Sequence, residues 1–479
     1  MASGDLEIPL LLAPSPRGSV RAHLAEALRA AVLDGRYAPG EPIPSSRVLA
    51  GQLGVSRGSV VAAVDQLVGE GYLVAEPRAA VTVAADGVVV PVRVTRPSGE
   101  RAPTERTAPL LDLRPGRPDT RGLDTPEWRA AWRPALAAPP SALPAPTGDP
   151  GLRAQIADQL RRSRGVDVTP ADVVVTSGTA DAVALLVRAA STALGRSVRV
   201  GVEDPGYPAV RRRLLAEGHE VVGIGLDADG IDLAALAAAR PDVVVVTPSH
   251  QYPTGGRLAL AARLELVRRA TSERMLVIED DYDSEFRYVG APLPALASLD
   301  ATGGVAHVGS FSKTVSPWLR VAFLALPAAS WLRPALAGLD SERDASVSGP
   351  TQEALDAFMA GGAFRRHLTR TRRRYAHRRE LVRAFSERIG WGEAQGLDGG
   401  LHVVLSLPRS LAAADVSAAL AREGLEVATL DAYALSGRAD RPALVLGYGH
   451  LTDLELTASL GTIDRVVRRL ADERGIPEG

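Results

Sequence analysis

His307-Val308-Gly309-Ser310-Phe311-Ser312-Lys313-Thr314-Val315-Ser316-Pro317-Trp318-Leu319-Arg320 is the stretch on which the reading of this chain turns. It leaves an apolar run, Val305 to Gly309, and enters a segment where Ser310 and Ser312 flank a lysine and Arg320 follows. Hydroxyls and a guanidinium so arranged can converge on one phosphate. The lysine is also singular: of 55 basic residues in 479, only Lys313 is lysine and the others are arginine. Codon bias in a GC-rich genome would account for the arginine. Arginine keeps its proton up to a pKa above about 12, whereas lysine can release it and condense with an aldehyde as a Schiff base. Lys313 is therefore the candidate nucleophile.

Working outward, apolar strand-like runs alternate with amphipathic helices from residue 111 to 479. The strand candidates are Val173 to Thr176, Val198 to Val202, Val243 to Thr247, Met275 to Ile278 and Val305 to Gly309. Such alternation predicts an α/β domain with a mostly parallel sheet. Several runs end in chemistry. Ser177-Gly178-Thr179 follows the first strand and opens a helix, whose free N–H groups suit an anion. Glu279-Asp280-Asp281-Tyr282 ends another at the sheet's carboxyl edge, where open sheets bind ligands. Of its acids, Asp280 is the choice to face a ring nitrogen and Asp281 the spectator. Tyr207, in Glu203-Asp204-Pro205-Gly206-Tyr207-Pro208, can lie flat on a ring. A lysine amine, a carboxylate, phosphate donors and a flat neighbour are what pyridoxal phosphate asks of a site.

Residues 15–85 read differently. Val20, Leu24, Ala27, Leu28, Ala31 and Val32 fall at helical spacing. Ser45 or Ser46 caps a second helix carrying Val48, Leu49 and Leu53. Ser56 caps a third with Val60, Val61, Val64, Leu67 and Val68 facing inward. Short strands at Tyr72-Leu73-Val74 and Val81-Thr82-Val83 form a hairpin wing. This is a winged helix-turn-helix, whose third helix enters the major groove by its N-terminal end. The candidate DNA contacts are Ser45, Arg47, Ser56, Arg57, Gly58, Ser59 and, in the wing, Arg78. Residues 86–110 turn polar and proline-rich and are expected to be a linker.

The bulk numbers exclude other classes. A net charge of −1 gives no global field toward nucleic acid, so DNA contact needs a local patch and a dimer engaging two half-sites. The absence of cysteine excludes disulfides and Cys-ligated zinc, and no metal site is expected. Neither a signal peptide nor a run of roughly 18 apolar residues is present, so a cytoplasmic protein without membrane contact is expected. The arginine-rich stretch Arg365 to Arg383 has helical period and reads as a solvated helix joining two subdomains. A second nucleic-acid surface is the alternative.

Two resemblances follow. Asp34-Gly35-Arg36-Tyr37-Ala38-Pro39-Gly40-Glu41, Ile43-Pro44-Ser45-Ser46-Arg47, Leu53-Gly54-Val55-Ser56-Arg57 and Glu70-Gly71-Tyr72-Leu73 resemble the GntR family of regulators. Pro248-Ser249-His250-Gln251-Tyr252-Pro253-Thr254-Gly255, Ile278 to Tyr288, Gly309 to Lys313, Leu319-Arg320 and Gly399-Gly400-Leu401-His402 resemble fold-type I pyridoxal-phosphate aminotransferases. The MocR subfamily joins both in this order. The resemblance implies a large α/β domain with a small C-terminal α+β subdomain. It implies that Lys313 holds the cofactor, Asp280 its ring nitrogen and Tyr282 its 3-hydroxyl. Gly178, Thr179, Ser310, Ser312 and Arg320 would hold the phosphate, and Tyr207 would stack. Tyr252 stands where aminotransferases have asparagine, and it joins the expected cofactor contacts.

Those enzymes also use a late arginine for the substrate carboxylate. Here Leu444-Val445-Leu446-Gly447-Tyr448 offers none in register, and Arg441 is a distant candidate. Full transamination is therefore not expected, at most amine exchange or a half-reaction. The expected partners are operator DNA, an amino acid or amine effector, a second copy of the chain as homodimer, and RNA polymerase. A competent aminotransferase and a regulator sensing the cofactor itself are the alternatives.

Overall fold

The computed structural model describes residues 20–77, 79–84, 110–137, 144–227, 230–290, 293–326, 330–341 and 344–474. Arg78 and residues 85–109, which hold nearly all of the expected linker, lie outside the described residues. The chain divides into two compact units, Met1–Glu105 and Arg106–Gly479.

In the smaller unit, Val20–Leu33 (α1) buries Leu24, Leu28, Ala31 and Val32 along one face. Ser45 caps Ser46–Leu53 (α2), its side chain accepting from Val48 N–H. Ser56 caps Arg57–Gly69 (α3) by accepting from Ser59 N–H at 3.1 Å. Leu73–Val74 (β1) pairs antiparallel with Thr82–Val83 (β2). The segment around Pro42 bridges to the wing, a contact that the sequence does not announce: Val83 N–H donates to the Glu41 carbonyl and Ile43 N–H to that of Val81. Val20, Val48 and Val61, expected on apolar faces, are exposed. Val20 and Val61 lie beyond the stripe along which α1 and α3 pack, Ala63 takes the inward place assigned to Val61, and on α2 Leu49 alone is buried.

The larger unit is built on seven strands: Val173–Thr176 (β3), Arg199–Glu203 (β4), Glu220–Ile224 (β5), Val243–Val246 (β6), Leu276–Asp281 (β7), Val305–Ser310 (β8) and Ala322–Ala325 (β9). Their order is β3-β9-β8-β7-β6-β4-β5. All five expected strands are there, and β5 and β9 are additions. β9 runs antiparallel to both neighbours. Only the eleven residues Phe311 to Val321, which carry Lys313, join it to β8, and parallel return needs a crossover of a dozen residues or more. Thr179–Leu194 (α4) buries its apolar face on this sheet.

A second sheet comprises Ala394–Gln395 (β10), His402–Ser406 (β11), Ala428–Thr429 (β12) and Ala443–Gly447 (β13), in the order β10-β11-β13-β12. Ala363–Ile389 (α5), the arginine-rich helix, joins the two subdomains. Ala363 and Phe364 belong to the core under the large sheet; Val382, Phe385 and Ile389 belong to the core under the small one. It is less solvated than its composition suggests, since Thr371, Tyr375 and Arg378 are buried. Leu111–Asp112 pairs with Leu425–Glu426 and leads residues 113–117 toward the large sheet's edge. Among the described residues no helix is long and apolar enough to cross a membrane.

Candidate functional site

The strand-end loops of the large sheet enclose a cavity of about 380 Å³, within the range of small-molecule sites. Its walls include all ten residues expected to meet the cofactor: Gly178, Thr179, Tyr207, Tyr252, Asp280, Tyr282, Ser310, Ser312, Lys313 and Arg320. Successive side chains along a strand face opposite ways, which sorts the acids of β7. Asp280 turns into the cavity. Glu279 turns away to accept from Leu296 and Ala297 N–H, and Asp281 turns away to pair with Arg164 at 2.7 Å.

Lys313 Nζ donates to the Gly116 carbonyl at 2.8 Å. Burial brings its pKa down to about 8, against the pull of Asp283 and Asp280. Burial, reinforced by Asp281, Glu203 and Asp283, pushes the Asp280 carboxyl up to about 8. Asp280 Oδ1 is buried without a hydrogen-bond partner. That unmatched acceptor suits a ring N–H, one part of a match to pyridoxal phosphate. The rest of the wall agrees. Gly178 and Thr179 begin α4, and the Arg320 guanidinium lies 3.3 Å from where a Cβ on Gly178 would stand. Ser310 Oγ accepts from Ser312 N–H at 3.0 Å. Tyr252 meets Tyr207, Tyr282 and Tyr433 edge-on at 5.5–5.6 Å between centroids.

Pro115, Gly116 and Arg117 also line the cavity, and sequence reasoning missed them. Their signal was the Pro115-Gly116 turn dipeptide just after the linker, which carries no chemistry of its own. Arg117 is held by Asp112 at 2.5 Å. Arg441 bonds Gln395 and is not part of the cavity wall.

In the smaller unit Ser45, Arg47, Ser56, Arg57 and Gly58 are exposed and Ser59 is half-buried. Arg57 Nε reaches Ser46 Oγ at 3.4 Å, linking the start of α3 to α2. The oxygens of Ser45 and Ser56 are engaged as helix caps.

Residues 20–83 match the family of bacterial regulatory proteins, gntR family, and residues 109–438 match aminotransferase class I and II. The chain is 40% identical to the pyridoxine biosynthesis transcriptional regulator PdxR of Corynebacterium glutamicum, over 92% of this chain and 95% of that one. It is 34% identical to the probable rhizopine catabolism regulatory protein MocR of Rhizobium meliloti, over 81% and 82%. This chain is a MocR-type GntR regulator. Among solved structures, α-aminoadipate aminotransferase LysN of Thermus thermophilus superposes on this MocR-type regulator with a TM-score of 0.65 at 25% identity, over 76% of this chain and 93% of that one. The larger unit of this MocR-type regulator is thus a fold-type I, pyridoxal-phosphate-binding domain, and the smaller one its DNA-binding domain.

Proposed function

We propose that the regulator reads pyridoxal phosphate itself as its signal, and that occupancy at Lys313 changes its hold on an operator. One observation carries this: the chain's single lysine and nine further residues chosen from sequence meet on one cavity. The relative named for pyridoxine biosynthesis supports the choice of signal. So does the engagement of Arg441 with Gln395, which leaves that guanidinium away from any ligand carboxylate.

When bound, the cofactor supplies an aldehyde carbon for an amine and a ring that draws electrons. The protein's part is to hold it. Lys313 offers a nucleophile whose lowered pKa leaves an appreciable unprotonated fraction near neutral pH. Asp280 keeps the ring nitrogen's proton, and Tyr282 approaches the 3-oxygen. Gly178, Thr179, Ser310, Ser312 and Arg320 fix the phosphate, with Tyr207 on the ring face and Tyr252 closing the wall. Ser45, Arg47, Ser56, Arg57, Gly58 and Ser59 meet DNA, with Arg78 in the wing. Two copies engage two half-sites, and occupancy shifts the population of dimer geometries that fit them. RNA polymerase is the further partner, and catalytic turnover is no part of the role.

A second reading, an amine effector bearing an acid group, is favoured by Arg117 on the wall. Operator binding titrated with pyridoxal phosphate alone, then with amino acids, separates the two. The first reading expects the cofactor alone to change affinity, with a borohydride-fixed adduct on Lys313. A Lys313→Ala protein that responds as the wild type does would overturn both.

A further inference from the structure

Three motifs marked by the sequence without a role of their own meet behind the cavity wall. They are the segments around His250, Asp283 and Gly399-Gly400. His250 Nε2 lies 3.0 Å from the Gly396 carbonyl oxygen, an atom that only accepts, so Nε2 carries a hydrogen. His250 Nδ1 lies 2.8 Å from Asp283 Oδ2. Two bare acceptors do not share such a distance, so a second proton sits between them. Both side chains are buried, 5% and 2% exposed. The backbone at Gly400 (φ 70°) presses on the pair: a Cβ there would fall 2.5 Å from Asp283 Oδ2 and 2.6 Å from His250 Cε1. The Tyr282 hydroxyl is 2.9 Å from the same Nδ1.

The proton census decides where that hydroxyl's hydrogen goes. With the proton in the pair, Nδ1–H serves Asp283 and the tyrosine oxygen, and the hydroxyl hydrogen is turned away from the imidazole, leaving the Asp283 carboxylate and the cavity as its directions. Without it, Nδ1 is an acceptor and captures that hydrogen.

We propose that His250 and Asp283 form a buried proton-holding pair that aims the Tyr282 hydroxyl hydrogen at the 3-oxygen of the bound cofactor. The proposal rests on the cavity being the pyridoxal phosphate site. His250 is a positioning residue and acts through Tyr282. Burial opposes charge on His250, and the Asp283 carboxylate more than offsets it, raising the imidazole's pKa. His402, 5.1 Å away between ring centroids, is pushed well down by burial and then by His250, so it adds no positive charge. Asp398, on the loop before Gly399, supports the charge on His250. Lys313 and Asp280 face Asp283 from the cavity. The phenols of Tyr252, Tyr288 and Tyr448 are raised by burial and stay neutral.

Donor atoms of His250, Asp283 and His402 lie within 4.8 Å of one another, a grouping that also suits a metal ion. Donors at about 2.1 Å from a tetrahedral ion stand about 3.4 Å apart. The 2.8 Å contact is that of a shared proton instead.

Nitrogen-15 histidine spectra of the cofactor-free chain test this, with His250→Gln assigning the signal. Both His250 nitrogens should be protonated at pH 7, and Asp283→Asn should leave only Nε2–H. In the loaded protein a donated hydrogen favours the ionised 3-oxygen, so its loss in either variant should raise the pH midpoint of the cofactor's absorption by about one unit. A neutral His250 in the wild type would overturn the proposal even if the variants fail to fold. So would an unchanged midpoint in both, or one zinc per chain retained on dialysis and lost in His402→Ala. Absence of a borohydride-fixed adduct from the wild type would instead defeat the cavity assignment.

Discussion

Asp280 and Lys313 titrate near the same pH from opposite sides, and their effects fall in separate windows. Asp280 has a pKa of about 8 in the folded protein against 3.8 ordinarily. Between those values the folded chain keeps a proton that the unfolded chain has released, so stability falls as pH rises. Lys313, lowered from 10.5 to about 8, acts only above pH 8 and with the opposite sign. The melting temperature of cofactor-free protein should therefore fall more steeply from pH 4 to 8 than that of Asp280→Asn, as calorimetry at several pH values would show. Gly116 is the second residue to test. Its φ is 104°, and a Cβ would stand 2.9 Å from Lys313 Nζ. Gly116→Ala should cost about 1–3 kcal/mol of backbone strain and displace the amine, seen as weaker cofactor binding in an absorbance titration.

At the scale of elements, α5 shows how misleading composition is. Arg378 is 6% exposed and pairs at 3.2 Å with Asp119, itself 3% exposed. Arg378→Ala should cost about 1–3 kcal/mol by removing one of the charged hydrogen-bond partners of buried Asp119, which keeps Arg121 at 2.9 Å. Exposed Arg373→Ala should change stability by less than about 0.5 kcal/mol, and urea unfolding of the two variants would separate them. The runs of valine in β3 and β6 made those strands readable, because continuous apolar stretches suit a sheet covered on both faces. Glu220–Ile224 hid because it opens on a charged residue and is fully buried only at Ile224, and Ala322–Ala325 because Ala-Phe-Leu-Ala holds no β-branched residue. The cofactor-facing residues were legible because each is a chemical type at a strand end. Pro115 to Arg117 were not, since a wall supplied by backbone and a turn has no signature. Nor was the His250–Asp283 pair, whose members stand 33 positions apart and face each other only through the fold.

On the scale of the whole molecule, the cofactor wall and the DNA-reading residues fall in different compact units. Loading with the cofactor at 100 times its dissociation constant should stabilise the larger unit by about 2.7 kcal/mol. Calorimetry should then show its transition move up. The near-neutral net charge predicts few phosphate contacts per chain. Arg57→Ala should accordingly weaken operator binding and lower the slope of log affinity against log salt by about 1. A fluorescence anisotropy series over salt concentration would measure both.

Having Lys313 as its sole lysine gives the molecule an analytical property of its own. Vitamin B6 aldehydes ordinarily decorate surface lysines as well as specific sites, which blurs stoichiometry. Here the cavity holds the one side chain able to react in that way. Any acyl or aldehyde label beyond the α-amino terminus therefore counts vacant pockets directly in a purified sample.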